Sequence, residues 1–295
     1  MVNSADNAIK LVVNGQRKTR NRGRETNFLP KFDNMNLSLE GRNAIICGSS
    51  QGIGYAIAEE LALMGANCIL LARNEENLKL AVLGLDISIR QSHAYYAVDF
   101  NNAEETKKII SEITAKQPVH ILINNSGGPA SGAIVDATEE QFLQVFNQHL
   151  ITNHILTTAV IEGMKSEGYG RIINIISTSV KVPLKNLGVS NTIRGAVASW
   201  AKTMADELGQ FGITVNNVLP GATRTQRLET IINNTAQKTG ANIEEVEKDL
   251  LKEIPATRFG EAAEIAAVAA FLCTPAAAYV NGTSIPVDGG RTGSI

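Results

Sequence analysis

Seven short apolar runs punctuate the chain between residues 43 and 287: NAIIC, NCILLA, AYYAV, VHILIN, RIINII, ITVNNVL and TSIPV. Most are apolar almost throughout instead of alternating with polar residues. That is the composition of a strand buried on both faces, as in a parallel sheet covered by helices on each side. The intervals carry apolar residues at helical spacing, as in YAIAEELALMG, which ends at Gly65. Strands alternating with helices in this way predict an α/β fold: one doubly wound domain with a parallel sheet of about seven strands and about six helices on both faces. There is no internal repeat and no low-complexity tract.

The first run leads into CGSSQGIG, with Gly48, Gly52 and Gly54 between a predicted strand and a predicted helix. Glycine permits a sharp turn and a close backbone approach, and the following helix start offers free N–H groups to a pyrophosphate. The spacing is G-x-x-x-G-x-G instead of the commoner G-x-G-x-x-G, but the strand–turn–helix context makes a dinucleotide site the expected reading. Gly48, Ser50, Gln51, Gly52, Ile53 and Gly54 are its candidate residues. An NAD site would carry an acidic residue about 20 positions on, for the ribose 2′-hydroxyl. Arg73, followed by Asn74, stands there instead. An arginine suits a 2′-phosphate, so NADP(H) is the expected cofactor.

Charge and composition narrow the classes. The chain has 295 residues and a net charge of −2, so bulk electrostatics give no reason to expect a nucleic-acid partner. No apolar run is long enough to span a bilayer and no secretory leader is recognisable, so no membrane role is expected. Cys47, Cys68 and Cys273 each lie in apolar stretches without metal-type spacing, which predicts reduced buried thiols in a cytoplasmic protein and no metal site. The first 31 residues hold seven basic and two acidic side chains with almost no apolar periodicity. Residues 1–38 are therefore expected to form a basic extension, and 39–295 the nucleotide-binding domain.

From about residue 39 onward the chain resembles the short-chain dehydrogenase/reductase family, in the group that includes β-ketoacyl carrier-protein reductases. Besides GSSQGIG, the resemblance rests on Asp99 in AVDF, on INNSGG with Asn124, Asn125, Ser126 and Gly127, and on VLPGATRT with Pro220, Gly221 and Thr225. RFGEAAEIAAVAAFL and VNGTSIPVDGG match the last helix and strand. The resemblance implies a Rossmann-type fold, a small-molecule substrate, a homo-oligomer (a tetramer), and cofactor contacts from Asp99, Phe100, Asn125, Ser126, Gly127, Pro220, Gly221 and Thr225. It also implies a helical substrate flap over 226–254. There Val246, Leu250, Leu251 and Ile254 recur at helical spacing, a face that either packs internally or lines a pocket.

In this family a serine, a tyrosine and a lysine carry carbonyl reduction, with an asparagine on a neighbouring helix. Ser177 in NIISTSV matches the serine. The tyrosine and lysine positions, about 13 and 17 residues later, hold Ser190 and Arg194. The asparagine position holds His149. An aliphatic hydroxyl is a far weaker acid than a phenol of pKa about 10. Arginine keeps its charge and could hold the cofactor ribose, but it cannot relay a proton. His149 is then the alternative proton donor, since a histidine titrates near neutrality, or else a helix residue that fills space. Ser177 either polarises a carbonyl oxygen or caps the loop after its strand. Lys181 and Lys185 either bind an anionic substrate group or are solvated. Three functions remain open: an NADP(H)-dependent oxidoreductase acting on a carbonyl or alcohol with an atypical proton donor, a non-redox enzyme on the same scaffold (dehydratase, decarboxylase or isomerase), or a non-catalytic nucleotide-binding protein.

Overall fold

The apolar runs become seven strands of one parallel sheet: β1 (Asn43–Cys47), β2 (Asn67–Ala72), β3 (Ala94–Ala97), β4 (Ile121–Asn124), β5 (Gly170–Ile175), β6 (Ile213–Pro220) and β7 (Ser284–Val287). Their order is β3-β2-β1-β4-β5-β6-β7, with every pairing parallel. The order reverses between β1 and β4, the switch point where ligands bind beyond the strand ends in folds of this kind. A computed structural model describes residues 35–294, so the basic segment up to residue 34 lies outside the described residues. The compact unit spans Asn36–Ile295. Its first residues are tied in: the Asn36 carbonyl accepts from the Ala276 N–H, and Leu39 is buried completely.

Successive strand residues point to opposite faces, so each continuous apolar run feeds two cores. Ala44, Ile46, Leu70, Ile123 and Ile173 pack under α1 (Gly52–Leu63), α2 (Glu75–Leu83) and α9 (Ala262–Cys273). Ile45, Cys47, Ile69, Leu122 and Ile172 pack under α3 (Ala103–Lys116), α5 (Thr152–Glu167) and α6 (Gly188–Leu208). Ile45 and Ile46 are both fully buried, on opposite faces; burying a side chain of this size contributes about 1.5–3 kcal/mol. All three cysteines are free and buried.

Three features depart from the sequence expectation or add to it. First, a long helical stretch runs from α4 (Glu139–Phe146) into α5 through a π turn, Asn147–Ile151. The Thr152 N–H and its hydroxyl both donate to the Asn147 carbonyl, five residues back. Second, the 226–254 segment forms α7 (Gln226–Thr239) and α8 (Ile243–Lys252). Val246, Leu250, Leu251 and Ile254 pack with Leu228, Ile232 and Phe259, which decides the open alternative in favour of internal packing. Third, a buried polar ladder crosses four strands in register. Asn124 donates to Asn174 (2.9 Å), Asn174 to Asn217 (3.0 Å), and Asn217 to the Ser284 hydroxyl (3.0 Å).

Candidate active site

The glycine loop has the geometry of an anion cradle. Gly48 and Gly52 both adopt positive φ, +59° and +61°, which glycine tolerates without strain. A Cβ on Gly54 would lie 2.2 Å from the Gly48 carbonyl oxygen, so the first turn of α1 packs directly against the loop. Gln51 precedes α1 in extended conformation, makes no side-chain cap, and no acidic residue stands in the first turn. The helix start is thus left without side-chain competition for an anion. Asn125 ties the end of β4 to this loop, donating to the carbonyls of Cys47 (3.2 Å) and Gly48 (3.1 Å). Thr225 faces it from the other side, its methyl 3.7 Å from where a Gly52 Cβ would stand. Ser50 and Ile53 complete the loop, half-buried.

Arg73 is exposed just past β2, open to a 2′-phosphate, while Asn74 beside it caps α2 through a 2.8 Å bond from the Asn77 N–H. Asp99 is half-buried, its carboxylate accepting from the Asn101 amide N–H (3.0 Å) and side chain (2.9 Å). The Phe100 ring belongs to the core, and its carbonyl is engaged by Thr152. Gly127 is exposed beyond β4. Gly221 donates to the Val287 carbonyl, which fixes the Pro220–Gly221 turn against β7. Thr225 caps α7. The loop, Arg73 and the α1 N-terminus together fit a dinucleotide bearing a 2′-phosphate.

The candidate catalytic residues lie where β5 ends against α6. Ser177 follows β5, and its Oγ accepts from the Ser179 N–H (3.1 Å), capping a short 3₁₀ turn while keeping its own proton to donate. Ser190 and Arg194 are both buried, one helical turn apart on α6. Arg194 donates from Nε to the Ser190 hydroxyl (3.3 Å) and from Nη1 to the carbonyls of Ile175 (3.3 Å) and Ile176 (2.7 Å). A guanidinium has five N–H groups, so only the two on Nη2 remain for a ligand. The sequence expectation of a ribose-holding Arg194 is narrowed accordingly. Burial and the charge of Arg227 bring the Arg194 pKa down to about 10.

His149 sits within the π turn, 4 % exposed, its Nδ1 2.8 Å from the Ser126 hydroxyl and its Nε2 without a partner among the described residues. Burial, reinforced by the Arg194 charge, pushes its pKa down to about 3. The expectation of a histidine titrating near neutrality is therefore corrected: the imidazole is neutral across the physiological range.

A cavity of about 610 Å³ opens beside this centre. Its wall includes Ile134, Ser179, Leu184, Lys185 and Asn191. Lys185 lines it, whereas Lys181 does not. The wall is held by the Gly132 N–H donating to the Asn186 carbonyl (2.8 Å). Arg227, which the motif reading passes over, reaches from α7 to donate to the Pro129 carbonyl. Its only sequence signal is its place two residues after the P-G-x-x-x-T segment.

Comparison with known proteins agrees with the fold. The family model described as enoyl-(acyl carrier protein) reductase matches residues 48–292. The 3-oxoacyl-[acyl-carrier-protein] reductase of Vibrio cholerae is 33% identical over 257 residues, covering 86% of this chain and 98% of that protein. Among solved structures, the NADPH-dependent reductase YwfH, involved in bacilysin biosynthesis, superposes with a TM-score of 0.81 at 30% identity, covering 86% of this chain and 99% of that one. The L-sorbose reductase of Gluconobacter frateurii, complexed with NADPH and L-sorbose, reaches 0.83 at 28% identity, covering 88% and 100%. A family match over this length, joined to the glycine loop at the switch point of a seven-stranded parallel sheet, makes the chain a member of the short-chain dehydrogenase/reductase family.

Proposed function

We propose that the protein is an NADP(H)-dependent oxidoreductase that interconverts a carbonyl and an alcohol, and that its proton does not come from a phenol. The observation that carries this reading is the cradle beside the centre: an uncapped α1 start, exposed Arg73 at the position where an NAD site would carry an acidic residue, and Ser177, Ser190, Arg194 and His149 gathered beyond the ends of β4 and β5. The NADPH-binding relatives support the same cofactor.

In the reductive direction a bound NADPH would supply the hydride, and the carbonyl oxygen of the substrate must gain a proton. Ser177 donates a hydrogen bond to that oxygen. The Arg194 cation stabilises the developing alkoxide but releases no proton. Ser190 is held by Arg194 and is too weak an acid to deliver one. His149 remains. A neutral imidazole passes a proton by giving one from Nε2 while accepting another at Nδ1; Ser126, hydrogen-bonded at Nδ1, would relay a proton from solvent water in the same concerted step and end with its own hydroxyl restored.

The test is NADPH oxidation across a carbonyl panel by wild type and variants. His149→Ala is expected to lower kcat/KM by about 10²–10⁴, the range for a lost acid–base group. Ser190→Ala is expected to cost about tenfold, as one hydrogen bond does. Arg73→Asp should reverse or abolish the preference for NADPH over NADH. A silent His149→Ala together with an inactive Ser190→Ala would overturn the donor assignment. Turnover without any change in nicotinamide absorbance would overturn the redox reading, and tight NADPH binding without turnover would make the protein a nucleotide binder.

A further inference from the structure

The segment after β6 crosses the carboxyl edge of the sheet. β6 lies three strand steps from β1, with β4 and β5 between them. At about 4.8 Å per step, that is a lateral distance of roughly 14 Å. Thr225, five residues beyond the end of β6, nevertheless reaches the glycine loop that follows β1. Its methyl lies 3.7 Å from where a Gly52 Cβ would stand. Residues 221–225 therefore span the ends of β5 and β4 and arrive at the switch point.

The root of this span is fixed by backbone bonds. The Gly221 N–H donates to the Val287 carbonyl (3.0 Å), the Gly260 N–H to the Ala222 carbonyl (2.9 Å) and the Arg224 N–H to the Gly260 carbonyl (2.8 Å). Its far end is tied by a side chain instead. Arg227, in the first turn of α7, donates to the Pro129 carbonyl in the loop after β4. Gly128 gives the guanidinium its berth: a Cβ there would stand 3.0 Å from Cζ, Nε and Nη2. β4 and β6 are about 10 Å apart across β5, so this bond completes a bridge above the end of β5, where Ser177 follows. Arg227 is exposed, and one solvent-facing side-chain bond opens more readily than a set of backbone bonds.

A dinucleotide with its pyrophosphate at the glycine loop and its reactive ring beside Ser177 runs along this same edge, from the end of β1 to the end of β5, beneath the span. We propose that the Arg227–Pro129 bond is a clasp on the cofactor groove, which opens to admit NADP(H), closes over it and opens again to release it. Arg227 gives its bond to the protein and not to the cofactor, so its role is kinetic. The same bond closes ahead of an incoming cofactor and behind a bound one, and its loss accelerates both steps. Cofactor exchange needs no turnover, so the clasp stands or falls apart from the oxidoreductase reading.

The test is stopped-flow NADPH fluorescence at one ionic strength, with association followed directly and dissociation followed by a chase with excess NADP+. In Arg227→Ala both rate constants are expected to rise by about three- to tenfold, the worth of one hydrogen bond, while Kd changes by less than about twofold. Loss of charge alone predicts the opposite for association, since removing a cation slows the approach of an anionic cofactor. Arg227→Lys, which keeps the charge and a donor, should return both rate constants toward wild type. Unchanged rate constants in Arg227→Ala overturn the proposal. Faster dissociation with slower or unchanged association also overturns it, because the arginine then holds the cofactor itself. A wild-type protein that binds no NADPH overturns it as well. An enzyme that exchanges NADPH as expected yet never oxidises it counts against the redox reading alone.

Discussion

Replacing Asn174 with alanine removes the middle rung of the polar ladder and tests how much of the sheet's stability runs through it. Asn174 is wholly inaccessible, and its two neighbours, Asn124 and Asn217, are 2 % and 3 % exposed. In the variant the Asn124 amide loses its acceptor and the Asn217 carbonyl oxygen loses its donor. The Asn124 Oδ1 already lacks a partner, so that side chain would have none. A buried polar group left unpaired costs about 1–3 kcal/mol. Two such groups give about 2–6 kcal/mol, and water entering the space brings the expected loss to about 2–4 kcal/mol. That is a large fraction of the ~5–15 kcal/mol typical of a native protein. Urea denaturation followed by circular dichroism reads it as a lower midpoint at unchanged slope. The double variant Asn124→Ala/Asn174→Ala should cost less than the sum of the single changes, because the second removes a group the first has already orphaned. A loss below about 1 kcal/mol in Asn174→Ala, or strict additivity in the pair, would refute the ladder as a coupled unit.

Two further outcomes follow from the site. His149 has a folded-state pKa depressed from 6.5 to about 3, so the unfolded chain takes up a proton between those values that the folded protein refuses. The neutral histidine's contribution to stability is therefore complete above about pH 6.5 and declines as the pH falls toward 3. Denaturation midpoints measured between pH 7.5 and 4.5 should fall less steeply in His149→Gln than in wild type. His120, also lowered by burial, contributes equally to both proteins, and identical slopes would contradict the assignment. Gly54→Ala should abolish measurable NADPH binding or prevent folding, since its Cβ would meet the Gly48 carbonyl at 2.2 Å; undiminished NADPH fluorescence enhancement would contradict it.

Strands and glycine turns were legible in the sequence because their causes are local. NAIIC coincides with β1 and NCILLA with β2, since a run buried on both faces is built mostly of apolar residues. CGSSQGIG announces its own backbone through residues that tolerate positive φ. The Asn ladder was not legible, although Asn124 stood within a motif. Its partners lie 50 and 43 residues apart along the chain, and only strand register aligns them. The same holds for Arg227, whose berth depends on a glycine 99 positions earlier. The state of His149 depends on burial and on an arginine 45 positions away, neither of which a single sequence position records.

The π turn at Asn147–Ile151 has a consequence for how this region tolerates change. A widened turn accommodates one residue more than an α-helix would, and each residue advances an α-helix by about 100°. The stretches on either side of it are thus out of phase by one position. Val145 and His149 are oriented by one phase, and Leu156, Val160 and Met164, which face the sheet, by the other. Deleting a single residue between 147 and 151 would tidy the hydrogen bonding while rotating one half against its neighbours by roughly a quarter turn. The helix would become more regular and the protein less able to keep both the histidine and the core in place. Length in this segment is therefore constrained to the residue, even where residue identity is not.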